Sequence, residues 1–250
     1  MNYKFADRMG NLKASAIREI LKHTQDPSVI PFAAGNPAPE AFPTAEIARI
    51  SNEILTKNPI AALQYSITEG YTPLRDALKA QYKAKNILHD QDDLIIVTGT
   101  QQGLDLTTRV LVNEGDTVIC EMPSFVGALN AFKAGGANLV GVEMEDDGIS
   151  IEKLEKALKE NKNTKFLYLI PNFQNPSGIT MSFEKRKAVY ELALKYGVMI
   201  FEDNPYGDLR FAGEHVPNIK TMDREGIVVY CGSFSKTLSP GMRVAFLIAD

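Results

Sequence analysis

Short apolar segments alternate with helical patterns from Leu94 to the end of the chain. The apolar segments have the length of strands and are rich in Val, Ile and Leu; they occupy residues 94–97, 117–121, 138–143, 166–170, 198–201, 227–231 and 244–249. Helical patterns lie between many of them, at residues 101–112, 125–133, 151–159 and 183–196. Strands of this kind are typical of a parallel sheet that is covered on both faces. The sequence therefore predicts an α/β fold in which a mostly parallel, seven-stranded sheet lies between helices.

Two of the predicted helices carry residues that can cap their ends. Ser182 precedes the helix at 183–196 and Gly197 follows it, while Ser150 precedes the helix at 151–159. A serine side chain can accept a hydrogen bond from a free N–H of the first turn, and glycine readily adopts the left-handed conformation that ends many helices. We therefore expect these residues to fix the helix boundaries.

Charge, cysteine and histidine patterns exclude several classes of partner. Lys and Arg total 27 and Asp and Glu total 31, so the net charge of −4 gives no reason to expect a nucleic-acid surface. Cys120 and Cys231 lie far apart in apolar runs, and His23, His89 and His215 are scattered, so neither a disulfide framework nor a metal site is predicted. No segment approaches the ~20 apolar residues of a membrane span. We expect a cytoplasmic protein without nucleic-acid or membrane partners.

The residues that can support chemistry follow the predicted strands, where open α/β sheets bind ligands. Residues 98–103 combine small and hydroxyl side chains with the start of a helix, an arrangement that can bind an anion. They match neither the dinucleotide fingerprint nor a Walker loop. Residues 171–178 supply amides and residues 202–206 supply carboxylates, whereas residues 232–243 include Lys236 and Arg243. The sequence thus brings an anion site, an amide, a carboxylate, a lysine and an arginine to one edge of the sheet.

This combination matches the requirements of pyridoxal phosphate. The aldehyde requires a lysine, the ring nitrogen a carboxylate, and the phosphate requires hydroxyls, helix N–H groups and an arginine. Asn175 and Tyr206 can donate hydrogen bonds to the phenolic oxygen. Because the chain has no tryptophan, Phe125 is the candidate for stacking on the ring.

At these residues the chain resembles the fold-type I pyridoxal-phosphate-dependent aminotransferases of class I/II, and within them the branch of 2-aminoadipate and kynurenine aminotransferases. The matching stretches are residues 65–75, 98–104, 171–178, 202–206 and 232–236. The resemblance implies an enzyme that moves an amino group between an L-amino acid, aromatic or 2-aminoadipate-like, and a 2-oxo acid. It implies a ping-pong mechanism through a Schiff base on Lys236, and a homodimer with shared active sites.

The same resemblance implies a role for each matching residue. The catalytic residues would be Lys236, Asp203, Tyr206 and Asn175. Among these, Asp203 would pair with the ring nitrogen of the cofactor. The cofactor-binding residues would be Tyr65, Gly99, Thr100, Gln101, Phe125, Asn175, Asp203, Tyr206, Ser233, Ser235, Lys236 and Arg243. Tyr65 would reach the phosphate of the neighbouring subunit. The substrate would contact Gly35, Asn175 and Arg18.

The resemblance also implies a domain organisation. Residues 1–35 are interpreted as an N-terminal arm with a short helix at 15–22, and residues 36–250 as the pyridoxal-phosphate-binding large domain. Proteins of the resembled family continue into a small C-terminal domain that carries an arginine for the substrate carboxylate. We therefore expect that this small domain is absent from these residues and that the large domain is incomplete at its C-terminal end.

Three alternatives use parts of the same pattern. A pyridoxal-phosphate-dependent lyase would need nearly the same residues. An aminotransferase-like, ligand-binding regulatory module would carry a DNA-binding helix-turn-helix, for which the residues before Gly35 leave little room. A serine acyl-transfer enzyme would use the Ser-x-x-Lys pattern of Ser233 and Lys236, but the partner motifs Ser-Asp-Asn and Lys-Thr-Gly are absent.

Overall fold

The structure of the chain, a computed structural model, describes residues 3–6, 9–10, 26, 28–30 and 35–250. Arg18 and the helix predicted at residues 15–22 lie outside the described residues. Three helices that the sequence pattern did not predict come first: α1 Thr44–Lys57, α2 Pro59–Leu63 and α3 Thr72–Ala84. The strands and remaining helices are β1 Asp93–Val97, α4 Thr100–Leu111, β2 Thr117–Met122, α5 Val126–Ala134, β3 Asn138–Glu145, β4 Gly148–Ile149, α6 Ile151–Glu160, β5 Thr164–Leu169, α7 Phe183–Tyr196, β6 Met199–Asn204, β7 Val228–Ser233 and β8 Ala245–Ala249.

The described strands form one sheet in the order β1-β8-β7-β6-β5-β2-β3-β4. The pairs β2–β3, β2–β5, β5–β6 and β6–β7 are parallel, whereas β8 runs antiparallel to both of its neighbours, β1 and β7. The carboxyl ends of β1, β2, β5, β6 and β7 therefore meet at the same edge as the amino end of β8. The sequence analysis predicted that the loops with the candidate functional residues lie at this edge.

All seven predicted strands are present, and the structure adds an eighth. The additional strand β4 is only two residues long and pairs antiparallel with the end of β3. Gly148 begins it with a φ of +126°, a conformation that favours glycine. The sequence pattern missed β4 because two residues are too short to show an alternation of polar and apolar side chains.

The cap predicted at Ser182 is confirmed and the one at Ser150 is wrong. Ser182 Oγ accepts a hydrogen bond from the backbone N–H of Lys185, and Gly197 ends α7 in the left-handed conformation at φ 65°. Ser150 occupies the N-cap position of α6, but its side chain makes no capping hydrogen bond. Position before a helix thus identified both N-cap residues, but it did not decide which hydroxyl bonds to the first turn.

Helices cover both faces of the sheet, as the continuous apolar strands predicted. Successive residues of β5 alternate between the two layers: Phe166 and Tyr168 pack with α4 and α5, whereas Leu167 packs with α6 and α7. Burying each such large apolar side chain contributes about 1.5–3 kcal/mol relative to leaving it exposed. The two buried layers hold the strands rigidly, and the loops at their ends are positioned accordingly.

Helix α1, like the short helix α2, has no residue that the structure describes as buried. Its apolar side chains Ile50, Ile54 and Leu55 are exposed. Among the residues that the structure describes, we find no helix with the length and apolar character needed to cross a membrane.

Candidate active site

A pocket of about 290 Å³ opens at the carboxyl edge of the sheet. It is lined by Thr100, Gln101, Phe125, Ile170, Asn175, Asp203, Pro205, Tyr206, Ser233, Ser235, Lys236, Pro240 and Arg243. The structure therefore brings together all the residues predicted to bind the cofactor except Gly99, which adjoins the pocket, and Tyr65. These residues come from loops that are far apart in the sequence.

Lys236 follows β7 and reaches the pocket from the connection between β7 and β8. Its Nζ donates a hydrogen bond to the backbone carbonyl of Gly35 at 3.3 Å. Gly35 has a φ of +53°, which glycine adopts at no steric cost. The structure thus places Gly35, predicted to contact substrate, beside the lysine that was predicted to react.

Asp203 lies at the end of β6 with only 2% of its surface exposed. Its Oδ2 accepts a hydrogen bond of 2.8 Å from the Tyr168 hydroxyl, whereas Oδ1 has no hydrogen-bond partner among the described residues. Burial raises the pKa of the Asp203 carboxyl to about 7, and the bond from Tyr168 opposes that rise. A buried carboxylate with a free oxygen requires a donor or a cation, and Oδ1 is therefore ready to accept one.

Asn175 and Tyr206 meet across the pocket. Asn175 Nδ2 donates to the Tyr206 hydroxyl at 3.3 Å. Burial, and secondarily the charge of Asp203, raises the pKa of Tyr206, so its hydroxyl stays protonated near neutral pH. Two hydrogen-bond donors thus lie side by side, as a phenolate oxygen requires.

The loop that carries Asn175 is held by a buried arginine. Arg186 of α7 donates from Nη2 to the carbonyl of Pro171 at 2.9 Å and to Oδ1 of Asn172 at 2.8 Å. Asn172 in turn donates to Oδ1 of Asn204 at 2.8 Å, which connects the loop to the end of β6. Burial lowers the pKa of Arg186 to about 10, so it remains cationic at neutral pH.

Glu121 supports the same loop from β2. Its Oε2 accepts a hydrogen bond from the backbone N–H of Ile170 at 3.0 Å, whereas its Oε1 has no hydrogen-bond partner among the described residues. Burial raises the pKa of Glu121 to about 7, and the nearby Asp203 adds to that rise. Both carboxyls behind the pocket therefore titrate close to neutral pH.

The anion-binding side of the pocket combines a helix start with hydroxyls and an arginine. Thr100 and Gln101 begin α4, whose first N–H groups are free to bind an anion. Ser233 and Ser235 contribute hydroxyls from the connection after β7. Arg243 precedes β8 and has a φ of +53°. Because β8 runs antiparallel, its amino end brings this arginine to the same edge as the helix start.

Gly99 is expected to be irreplaceable at the start of α4. Its φ of +77° and ψ of 160° are essentially restricted to glycine, and a Cβ there would collide with the guanidinium of Arg243. We expect Gly99→Ala to lower the free energy of unfolding by about 1–3 kcal/mol and also to weaken the binding of pyridoxal phosphate. Denaturant unfolding and cofactor titration measure the two effects.

Gly115 provides the matched control for this substitution. It has a φ of +87°, but no atom lies within 4 Å of the position of a Cβ and it does not line the pocket. Gly115→Ala should therefore lower the free energy of unfolding without weakening the binding of the cofactor. Equal cofactor affinities in the two variants would contradict the role assigned to the contact between Gly99 and Arg243.

The remaining predicted residues lie elsewhere. Tyr65 is 99% exposed and does not line the pocket. Arg18 lies outside the described residues. In the part of the chain that the structure describes, no group of three or more His, Cys, Asp or Glu side chains could hold a metal ion.

The sequence analysis missed three residues that support the site: Tyr168, Glu121 and Arg186. Tyr168 lies within an apolar strand and is indistinguishable there from a core aromatic. Arg186 lies in a helical pattern in which charged residues are ordinarily solvated. The only available signal was Glu121, a carboxylate at the end of an apolar strand.

Comparisons with known proteins agree with this geometry. A model of the family described as aminotransferase class I and II matches residues 27–250. The chain is 44% identical to aromatic-amino-acid aminotransferase 1 of Thermococcus litoralis, over 98% of this chain and 60% of that protein. It is 42% identical to 2-aminoadipate transaminase of Thermus thermophilus, over 98% of this chain and 61% of that protein.

The fold also agrees with that of a solved structure. The crystal structure of Pyrococcus horikoshii kynurenine aminotransferase, in complex with PMP, superposes with a TM-score of 0.93 at 40% identity, over 98% of this chain and 62% of that one. The chain thus spans about three fifths of the length of the relatives it matches. Because the family model covers most of the sequence, the chain belongs to the class I and II aminotransferases, which depend on pyridoxal phosphate.

Proposed function

We propose that this chain forms the cofactor-binding part of a pyridoxal-phosphate-dependent aminotransferase that acts on an L-amino acid and a 2-oxo acid. The observation that carries the proposal is the pocket itself. It presents Lys236, the free oxygen of buried Asp203 and the anion-binding start of α4 to one volume. The large domain of residues 36–250 would supply these groups.

The residues present fit the cofactor at each of its polar groups. The unpartnered Oδ1 of Asp203 fits a protonated ring nitrogen. Asn175 and Tyr206 fit the phenolic oxygen, and Phe125 lines the pocket as an aromatic face. The phosphate would be held by Thr100, Gln101, Ser233, Ser235 and Arg243. Pyridoxal phosphate, when bound, supplies a carbonyl for amine exchange and an electron sink.

The chain's own groups then have distinct tasks. Lys236 Nζ would be the point of covalent attachment and, once released, would accept the proton from the substrate's Cα, a task worth roughly 10²–10⁴ in rate for a positioned base. Asp203 would hold the proton on the ring nitrogen. Asn175 would orient the phenolic oxygen and reach the substrate carboxylate, and the carbonyl of Gly35 would orient the lysine amine.

The names of the relatives support the substrate class. They include aromatic-amino-acid, 2-aminoadipate and kynurenine aminotransferases, so we propose an aromatic or 2-aminoadipate-like amino donor.

The exposed Tyr65 and the unburied helix α1 support a homodimer in which Tyr65 reaches the partner's phosphate. The cytoplasmic location inferred from the two cysteines, both free and buried, stays a prediction.

Borohydride trapping tests the proposal. The purified chain is mixed with pyridoxal phosphate, its visible absorbance is recorded before and after borohydride, and the peptides are analysed by mass spectrometry. We expect a yellow band that borohydride bleaches and an adduct on Lys236. An adduct distributed over exposed lysines would contradict the proposal. For the full-length protein, release of ammonia instead of exchange of an amine for a 2-oxo acid would identify a lyase.

A further inference from the structure

A buried tyrosine donates a hydrogen bond to the carboxylate that lines the pocket. Tyr168, on the central strand β5, has no exposed surface, and its hydroxyl lies 2.8 Å from Oδ2 of Asp203 on the neighbouring strand β6. Tyr168 is fixed by aromatic packing against Phe132 and Phe201, with ring centroids at 5.2 Å and 6.0 Å. The hydroxyl therefore cannot turn away from Asp203 without disturbing the core.

This contact distinguishes the two oxygens of the carboxylate. Oδ2 is occupied by Tyr168, whereas Oδ1 is buried and has no partner among the described residues, although Asp203 lines the pocket. A carboxylate with one oxygen fixed can rotate little about its terminal bond, and its other oxygen is then held in one direction. The geometry is that of a two-part unit in which one residue aims the other.

We propose that Tyr168 is a positioning residue, which locks the Asp203 side chain so that Oδ1 faces the ring nitrogen of the cofactor. The inference rests on the proposed function. Tyr168 is not one of the residues that line the pocket, and it contacts the pocket lining through its hydrogen bond to Asp203. It acts through Asp203 alone, and this is what separates the proposal from a general role of Tyr168 in packing.

The charges around the pair are consistent with a permanent donor. Burial, with an added contribution from Asp203, raises the pKa of Tyr168 well above its ordinary value, so the hydroxyl stays protonated. The bond from Tyr168 lowers the pKa of Asp203 and thereby favours the ionised carboxylate that a protonated ring nitrogen requires. The other titratable groups near Asp203 or across the pocket are Glu121, Tyr206, Cys231, Lys236 and Arg243.

The test compares Tyr168→Phe with the wild-type chain for two ligands. One is pyridoxal phosphate, and the other is its analogue in which carbon replaces the ring nitrogen. A hydrogen bond to a charged group corresponds to roughly a 10- to 100-fold change in affinity. We expect Tyr168→Phe to lower the affinity for pyridoxal phosphate by roughly this factor and to leave the affinity for the analogue nearly unchanged.

Tyr190→Phe is the matched control. The Tyr190 hydroxyl also donates to an aspartate, Asp223, but neither residue lines the pocket. Both variants lose one buried hydroxyl–aspartate bond, so both should lose thermal stability. Only Tyr168→Phe should change the ratio of the affinities for the two ligands.

Each remaining outcome is decisive. If Tyr168→Phe weakens the binding of both ligands equally, the residue only supports packing. If it leaves both affinities unchanged, the orientation of Asp203 does not depend on Tyr168. Either result overturns the inference. If wild-type chain forms no adduct on Lys236, the proposed function fails instead.

A second variant covers the case in which Tyr168→Phe does not fold. Site-specific 3-fluorotyrosine at position 168 keeps the ring and makes its hydroxyl more acidic. The ratio of the two affinities should then shift from its wild-type value. An unshifted ratio would overturn the inference.

Discussion

Lys236→Ala is expected to abolish the covalent attachment of pyridoxal phosphate. An alanine side chain has no amine, so borohydride should fix no adduct at position 236. In the full-length protein, the same change removes the base that accepts the substrate proton, and turnover should fall at least about 10²–10⁴-fold. Mass spectrometry of the reduced peptides and a transamination assay measure the two losses.

Two further substitutions accompany this test. One separates the amine of Lys236 from its charge, and the other is a control at an exposed lysine. Lys236→Arg keeps a long cationic side chain, but a guanidinium stays protonated and does not form an imine, so the adduct should again be lost. Lys57→Ala removes a lysine that is 73% exposed and ion-paired on α1, so the adduct should remain. Full turnover in Lys236→Ala, or an unchanged adduct yield, would refute the assignment of Lys236.

Asp203→Asn is expected to stabilise the cofactor-free chain above neutral pH. A carboxyl whose pKa rises from 3.8 to about 7 on folding costs on the order of 4 kcal/mol to ionise. Folded chain binds more protons than unfolded chain between these pH values, so wild-type stability falls as pH rises through this window. Asparagine has no proton to lose and still accepts the Tyr168 hydrogen bond. The variant should therefore match the wild-type chain below pH 4 and exceed it by up to about 4 kcal/mol at pH 8.

Urea unfolding at a series of pH values measures this difference. Asp146→Asn, which removes a carboxyl in an exposed turn, is the matched control and is measured at the same pH values. Saturating pyridoxal phosphate should stabilise wild-type chain much more than Asp203→Asn, because only the carboxylate can pair with a protonated ring nitrogen. A difference between Asp203→Asn and wild-type chain that is constant from pH 4 to pH 8 would contradict the burial of an ionisable Asp203.

Much of the fold could be predicted from the sequence because apolar strands alternate with capped helices. Seven of the eight described strands were located, and the bounds of α7 were predicted to the residue since Ser182 and Gly197 mark both of its ends. The site followed from one physical rule, that ligands bind at the carboxyl ends of parallel strands. Arg243 was included by its closeness in sequence to Lys236, whereas the reason that it reaches the pocket is the reversed direction of β8.

The residues behind the site could not be predicted, because their role depends on contacts between distant segments. Tyr168 is assigned by its distance to Asp203, and Arg186 by the carbonyls it binds, which lie up to 31 residues away in the chain. Helix α1 was missed for a different reason. Helix α1 packs so little against the described chain that its pattern could not be tied to the predicted sheet.

The position of β1 in the sheet has a consequence for the order of folding during synthesis. In the described sheet β1 pairs only with β8, although the two strands are separated by some 150 residues of chain. At ribosomal rates of about 5–20 residues per second, β1 must wait on the order of ten seconds for its partner. Arg243 emerges just ahead of that partner, so the nascent chain can close the sheet and complete the anion site only in the same late step.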